Sequence, residues 1–215
     1  EDDGWGSVYD DMEATPKPGT TVTEERARSI ISRNDSPDIA FAQSLNPYRG
    51  CEHGCVYCFA RPSHAYLELS PGLDFETRLF WKPDAVARLK EELAAPGYAC
   101  RPIALGTATD AYQPVERQQR LTRDVLEALL AVDHPVTLVT KSALVARDTE
   151  LWGALAARRL AAVALSITGL DNELSRRLEP RAAAPASRLR ALRTLADAGV
   201  PVGVLVAPII PALND

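Results

Sequence analysis

Apolar residues recur along this chain in short blocks separated by polar turns, and the period of the blocks alternates. Asp84–Ala95 carries Val86, Leu89 and Leu93 on one face, has Asp84 at the N-cap position after Pro83, and stops at Pro96-Gly97, which predicts a helix. Glu116–Val132 sets Leu121, Val125 and Leu129 one turn apart and predicts a second. Asp148–Leu160 and Ala186–Ala198 predict two more, the latter closed by Gly199. Between and around them lie five short apolar runs: Ala40–Tyr48, Pro102–Thr107, Val136–Thr140, Ala162–Ile167 and Val202–Val206. These runs lack clean alternation of apolar and polar residues, as expected of strands buried on both faces of a parallel sheet. Strands alternating with helices predict an α/β fold, either a parallel barrel or an open sheet.

The start of the chain breaks this rhythm. Residues 1–13 hold six acids and no base, which accounts for most of the net charge of −5 and leaves 24 bases against 23 acids elsewhere. An acidic, Gly- and Pro-containing start without a period reads as a largely flexible extension over residues 1–39, ahead of a core at 40–215. The core is near neutral, which neither demands nor excludes a nucleic-acid partner. With 46 % hydrophobic and 25 % charged residues among 215, the composition is that of an ordinary globular chain with one sizeable core. No apolar stretch approaches the roughly 18 residues that span a membrane, and no signal-peptide h-region is present. The expectation is a soluble cytoplasmic protein with no membrane partner.

Three of the four cysteines fall within eight residues, Cys51-Glu-His-Gly-Cys55-Val-Tyr-Cys58, spaced C-x3-C-x2-C. Clustered thiolates are soft ligands that select zinc, copper(I) or iron–sulfur clusters. Three thiolates on one loop hold three irons of a [4Fe–4S] cube and leave the fourth iron open to a small molecule. A structural zinc site is the competing reading and takes its fourth ligand from His53, His64, His134 or Cys100. Disulfides do not suit an odd cluster. Cys100 by itself reads as a buried small hydrophobe.

The spacing, with Tyr57 just before the last cysteine, is the hallmark of radical SAM enzymes, and the flanking segments narrow the resemblance. Ser44-Leu-Asn-Pro-Tyr-Arg-Gly50, Phe59–Tyr66, Gly106–Pro114, Val139-Thr-Lys-Ser142, Leu178-Glu-Pro-Arg181 and Val206–Pro211 together resemble bacterial radical SAM proteins related to spore photoproduct lyase, over about residues 40 to 215. The resemblance implies a partial (βα) barrel of six units. Five strands are legible here, so the expectation is a barrel truncated after the fifth. It also implies a [4Fe–4S] cluster on Cys51, Cys55 and Cys58, S-adenosylmethionine as second cofactor, and a reducing partner such as flavodoxin or ferredoxin. Reductive cleavage of S-adenosylmethionine then gives methionine and a 5′-deoxyadenosyl radical that abstracts hydrogen from substrate.

Every family-like motif falls at the carboxyl end of a predicted strand, where βα folds gather ligands. Thr107, Thr109 and Asp110 follow the second strand, Lys141 the third, and Ser166 and Thr168 end the fourth. By the resemblance, Thr109 and Lys141 hold the carboxylate of the methionine part, Ser166 contacts the ribose, and Tyr57 lies against the adenine. Asp110 orients the loops, and Arg181 pairs with Glu179 or reaches the cofactor. The relatives repair a thymine dimer with a cysteine at the end of the second strand and a tyrosine directly after the third cluster cysteine. The corresponding residues here are Thr107 and Phe59, which leaves Tyr112 as the candidate catalytic relay. The substrate is unknown, with nucleic acid as one branch and a small molecule or peptide as the other. Arg176, Arg177, Arg181, Arg188, Arg190 and Arg193 form the most basic stretch, which can neutralise phosphates but is read as a solvated helical face. An iron–sulfur electron-transfer or sensor protein, or a structural zinc-binding module, are the alternatives.

Overall fold

The computed structural model describes residues 19–215. Two sheets organise it. Six strands lie in the order β2 (Ile31–Arg33), β3 (Gln43–Leu45), β6 (Ile103–Leu105), β7 (Val136–Thr140), β8 (Ala161–Ser166) and β9 (Val202–Leu205). From β3 to β9 every pairing is parallel, and only β2 runs antiparallel. These five parallel strands are the five apolar runs of the sequence. A smaller sheet joins β1 (Thr21–Glu24), β5 (Arg78–Trp81) and β4 (Tyr48–Arg49).

The helices are α1 (Asp74–Thr77), α2 (Ala85–Leu93), α3 (Glu116–Gln119), α4 (Leu121–Ala131), α5 (Thr149–Ala157), α6 (Asn172–Leu178) and α7 (Pro185–Asp197). Helix α2 packs on α4, α4 on α5 and α5 on α7, so these four follow one another beside the parallel sheet. Leu121, Val125 and Leu129 recur every four residues and turn the apolar face of α4 inward, where all three are buried with Trp152 and Leu155 of α5. Residues of β6, β7 and β8 complete the same core.

Several boundaries differ from the sequence reading. The run Ala40–Tyr48 is not one strand: β3 belongs to the large sheet and β4 to the small one. Pro47, which lacks an N–H for a ladder, marks the change of sheet. The helix expected over Glu116–Val132 breaks at Arg120, which sits at φ 53° between α3 and α4. Asp84 is at the N-cap of α2, but its carboxylate accepts from the Ala27 N–H at 3.2 Å instead of capping its own helix. Residues 1–18 of the expected extension lie outside the described residues, whereas 19–39 contain β1 and β2, each paired with a strand of the core. At the far side of the large sheet, Val204 and Leu205 of β9 are exposed. No helix among the described residues is long and apolar enough to cross a membrane.

Candidate functional site

The turn after β4 delivers Cys51, Cys55 and Cys58 to one open cavity. The ends of β6, β7 and β8 form its other side through Thr107, Thr109, Asp110, Lys141 and Ser166. All three thiols are free. Burial pushes the Cys51 thiol well up, helped by the Asp110 charge. Burial also pushes Cys55 up to about 12, with Lys141 pulling down and Glu179 pushing up. Such thiols release their protons to solvent when a metal takes their place on sulfur. Among the described residues no group of three or more His, Cys, Asp or Glu side chains is arranged to hold a single metal ion. Three soft donors on one wall and hydroxyls with a lysine on the other fit a multinuclear thiolate-held cluster beside a polar ligand.

The cysteine loop is gripped by its backbone. Arg61 donates from Nε and Nη2 to the Cys55 carbonyl at 3.1 and 2.9 Å, and Arg181 donates from Nε to the Glu52 carbonyl. The Arg181 N–H reaches the His53 carbonyl at 3.1 Å, and the Cys51 N–H reaches the Phe75 carbonyl at 2.9 Å. Glu76 of α1 lies between the two arginines and pairs with both. Gly54 permits this closure: its φ is +69°, and a Cβ there would meet the Arg181 guanidinium and the Glu76 carboxylate.

Asp110 organises the other wall. Its carboxylate accepts from the Thr140 hydroxyl at 2.7 Å, the Lys141 N–H at 2.7 Å and the Tyr112 N–H at 2.9 Å, and faces His53 Nδ1 at 3.3 Å. Burial raises its pKa, but His53 and these donors outweigh burial and hold the carboxyl well below the usual range. Asp110 thus spends its acceptors on protein groups, in line with an orienting role. Gly106 at φ +80° lets the end of β6 approach β7 closely, since a Cβ would overlap the Val139 carbonyl. The Thr109 hydroxyl donates to the Tyr48 carbonyl at 3.2 Å, and Thr107 Oγ1 accepts from Asn46 Nδ2 at 3.1 Å. Lys141 Nζ lies 5.7 Å from the centre of the Tyr57 ring, a cation–π contact.

Other expected residues fall elsewhere. Tyr112 is fully buried away from the thiols, its hydroxyl donating to Asp148 at 3.0 Å and accepting from Trp152 at 3.1 Å. That side chain serves the core and does not reach the cysteine cavity. Thr168 lines a separate small cavity. Arg181 pairs with Glu76 and not with Glu179, because Glu179 is held by Arg188 and Tyr57. Arg188, expected on a solvated helical face, is 1 % exposed. Cys100 is exposed, in the connection that precedes β6, and not a buried hydrophobe. Of the alternative zinc ligands, His53 lines the cavity, whereas His64 sits 3.0 Å from the Arg78 carbonyl and His134 lies 2.8 Å from the Tyr98 hydroxyl. Glu76, Glu179 and Arg188 were not singled out as site residues by the sequence reading. The only signal was that Glu179 lies in the Leu-Glu-Pro-Arg motif.

Comparisons with known proteins bear on this geometry. The model of the Radical SAM superfamily matches residues 45–215. An uncharacterized protein of Mycobacterium tuberculosis is 37 % identical over 198 residues, which is 92 % of this chain and 58 % of that protein. One of Methanocaldococcus jannaschii is 28 % identical over 90 % of this chain and 70 % of its own length. Among solved structures, spore photoproduct lyase complexed with dinucleoside spore photoproduct superposes with a TM-score of 0.61 at 20 % identity, covering 95 % of this chain and 58 % of that one. A mutant of that lyase with bound AdoMet and dinucleoside spore photoproduct gives 0.60 at 19 % identity, over 94 % and 58 %. This chain therefore spans 58 % of the length of the mycobacterial relative and has the fold of the lyase.

Proposed function

This chain belongs to the Radical SAM superfamily, and we propose that it is the cofactor-binding part of an enzyme that uses a [4Fe–4S] cluster and S-adenosylmethionine to abstract hydrogen from a substrate. The observation that carries this reading is the meeting of Cys51, Cys55 and Cys58 with Thr109, Lys141 and Ser166 around one cavity. When bound, the two cofactors supply the reductive cleavage of a sulfonium and hence the hydrogen-abstracting radical. The proposed core is residues 40–215, a partial barrel of parallel strands with β1 and β2 ahead of it.

Within that reading each side chain has a task. Cys51, Cys55 and Cys58 hold the irons. Lys141 meets the carboxylate of the methionine part as a point charge, with Thr109 and Thr107 beside it. Ser166 contacts the ribose and Tyr57 the adenine. Asp110 and Arg181 act through other residues, the first by fixing the Lys141 backbone and the second by holding the cysteine loop. Tyr112 and Thr168 take no part. The AdoMet bound in the related lyase supports the choice of cofactor.

A nucleic-acid substrate is the branch that the lyase complexes support. Phe59, directly after the third cysteine, lines the cavity and is 82 % exposed, yet its ring has no O–H or S–H from which a hydrogen atom is readily relayed. That supports a reaction other than thymine-dimer reversal. A flavodoxin or ferredoxin is the proposed electron donor.

The test is anaerobic reconstitution with iron and sulfide counted, followed by dithionite, S-adenosylmethionine and chromatography for 5′-deoxyadenosine. Four irons per chain and 5′-deoxyadenosine that disappears in Cys55→Ala would establish the reading. Zinc in place of iron would overturn it, and a cluster without cleavage would point either to a truncated barrel or to an electron-transfer or sensor site, which the same assay on a longer chain separates.

A further inference from the structure

Behind Tyr57 the structure holds a charged pair that the proposed chemistry does not use. Glu179 and Arg188 have side chains 0 % and 1 % exposed and form an ion pair. Removing two charges from water is costly, and well-packed apolar residues often serve stability as well as a buried pair does. One end of this pair reaches the cavity lining at Ser166, and the other holds Tyr57, in the cysteine loop. The second Glu179 oxygen accepts from the Tyr57 hydroxyl. Arg188 donates from Nη1 to the carbonyl of Ser166 at 2.8 Å and from Nε to the carbonyl of Ala183 at 2.6 Å. One chain of hydrogen bonds therefore runs from the cysteine loop, through the pair, to the end of β8. The Tyr57 ring in turn carries Lys141 Nζ on its face.

We propose that Glu179 and Arg188 are positioning residues for S-adenosylmethionine. Together they latch the Tyr57 phenol to the end of β8, and so fix both the ring and the lysine that rests on it. The inference rests on the cofactor reading above. The latch acts on the orientation of two proposed contacts, Tyr57 and Lys141, and on the backbone of a third, Ser166. It leaves the thiols to hold the cluster. Nearby charges agree with this layout, since Lys141, Glu179 and Arg188 all act on the Cys55 thiol.

The experiment compares the reconstituted chain with Tyr57→Phe, with the double variant Glu179→Met/Arg188→Met, and with the triple combination. The double variant replaces the whole pair with apolar side chains, so no single buried charge is stranded. Iron content is counted, and S-adenosylmethionine is titrated while the electron paramagnetic resonance spectrum of the reduced cluster is followed. The expected result is unchanged iron in every variant. The half-saturating concentration of S-adenosylmethionine rises about tenfold in Tyr57→Phe and in the double variant, as for loss of one hydrogen bond to a charged group. The triple variant is no worse than either, because all three break one latch. An unchanged titration in Tyr57→Phe and the double variant, with the cluster present, overturns the latch alone. Failure of the unsubstituted chain to take up an iron–sulfur cluster overturns the cofactor reading, and the latch with it.

Discussion

Gly54 has a left-handed φ of +69° and no room for a side chain. Gly54→Ala is expected to destabilise the chain by roughly 1–3 kcal/mol, seen in urea unfolding, and to lower the iron retained on gel filtration, because the strain falls between two thiols. Lys141→Met tests the opposite wall. Its iron content should match the parent, while the S-adenosylmethionine needed to perturb the cluster spectrum rises roughly ten- to a hundredfold. A variant that loses iron instead would make Lys141 a structural cation. The cysteines and strand-end hydroxyls were legible in the sequence because their spacing is local. The residues that hold them were not: Arg181 meets Glu76 across 105 positions and Tyr57 meets Glu179 across 122, distances at which a single sequence carries no pairing signal. Arg188 misled for another reason. A helical arginine amid other arginines reads as solvated, and only packing shows that it points inward.

At the scale of elements, apolar period found the helices and strands, and it sets no bounds where a helical segment is wholly polar. The Leu121, Val125 and Leu129 face begins only after Arg120, and Glu116–Gln119 is wholly polar, so the apolar period does not extend across the break between α3 and α4. Arg120 is exposed and left-handed, at φ 53°. Glycine adopts that conformation without the roughly 1–2 kcal/mol that an L side chain loses there, set against its greater entropy when unfolded. Arg120→Gly should therefore raise stability by about 0.5–1 kcal/mol, measurable as a rise of a few degrees in the thermal midpoint. A fall would mean that the arginine side chain contributes more than the backbone loses. The short helices α1 and α6 escaped notice because four and seven residues are too few to show a period.

For the molecule as a whole, a buried polar network ties the loop after β6 to the start of α5. Arg147 reaches both Glu116 and Asp148, and Arg123 reaches Asp148 at 2.8 Å. The Tyr112 and Tyr48 hydroxyls complete it, on Asp148 and Glu116 respectively. Burial raises the Asp148 pKa, but the two guanidinium groups outweigh burial and hold it below the usual range. A carboxyl lowered in this way contributes stability that is whole above its unfolded value of about 4 and vanishes as pH falls through the folded value. Asp148→Asn should cost about 1–3 kcal/mol near neutrality, since Arg147 and Arg123 each lose one charged partner but keep Glu116 and Glu150. It should also flatten the decline in stability below about pH 4. Denaturant midpoints of both proteins across pH 2–7 check this, and parallel curves would refute it.

The parallel strands lie in the sheet in the order in which they occur along the chain. During synthesis each new strand finds its neighbour already made, so the sheet grows by one strand at a time from the amino end. The cysteine loop emerges early, but the Leu178 carbonyl that receives the Val56 N–H, and Arg181 itself, arrive more than a hundred residues later. Ribosome-bound chains ending before residue 178 would carry all three thiols with only the Arg61 and Phe75 contacts upon their loop. Metal delivery is thus best timed to the appearance of residues 178–181, not to that of the cysteines.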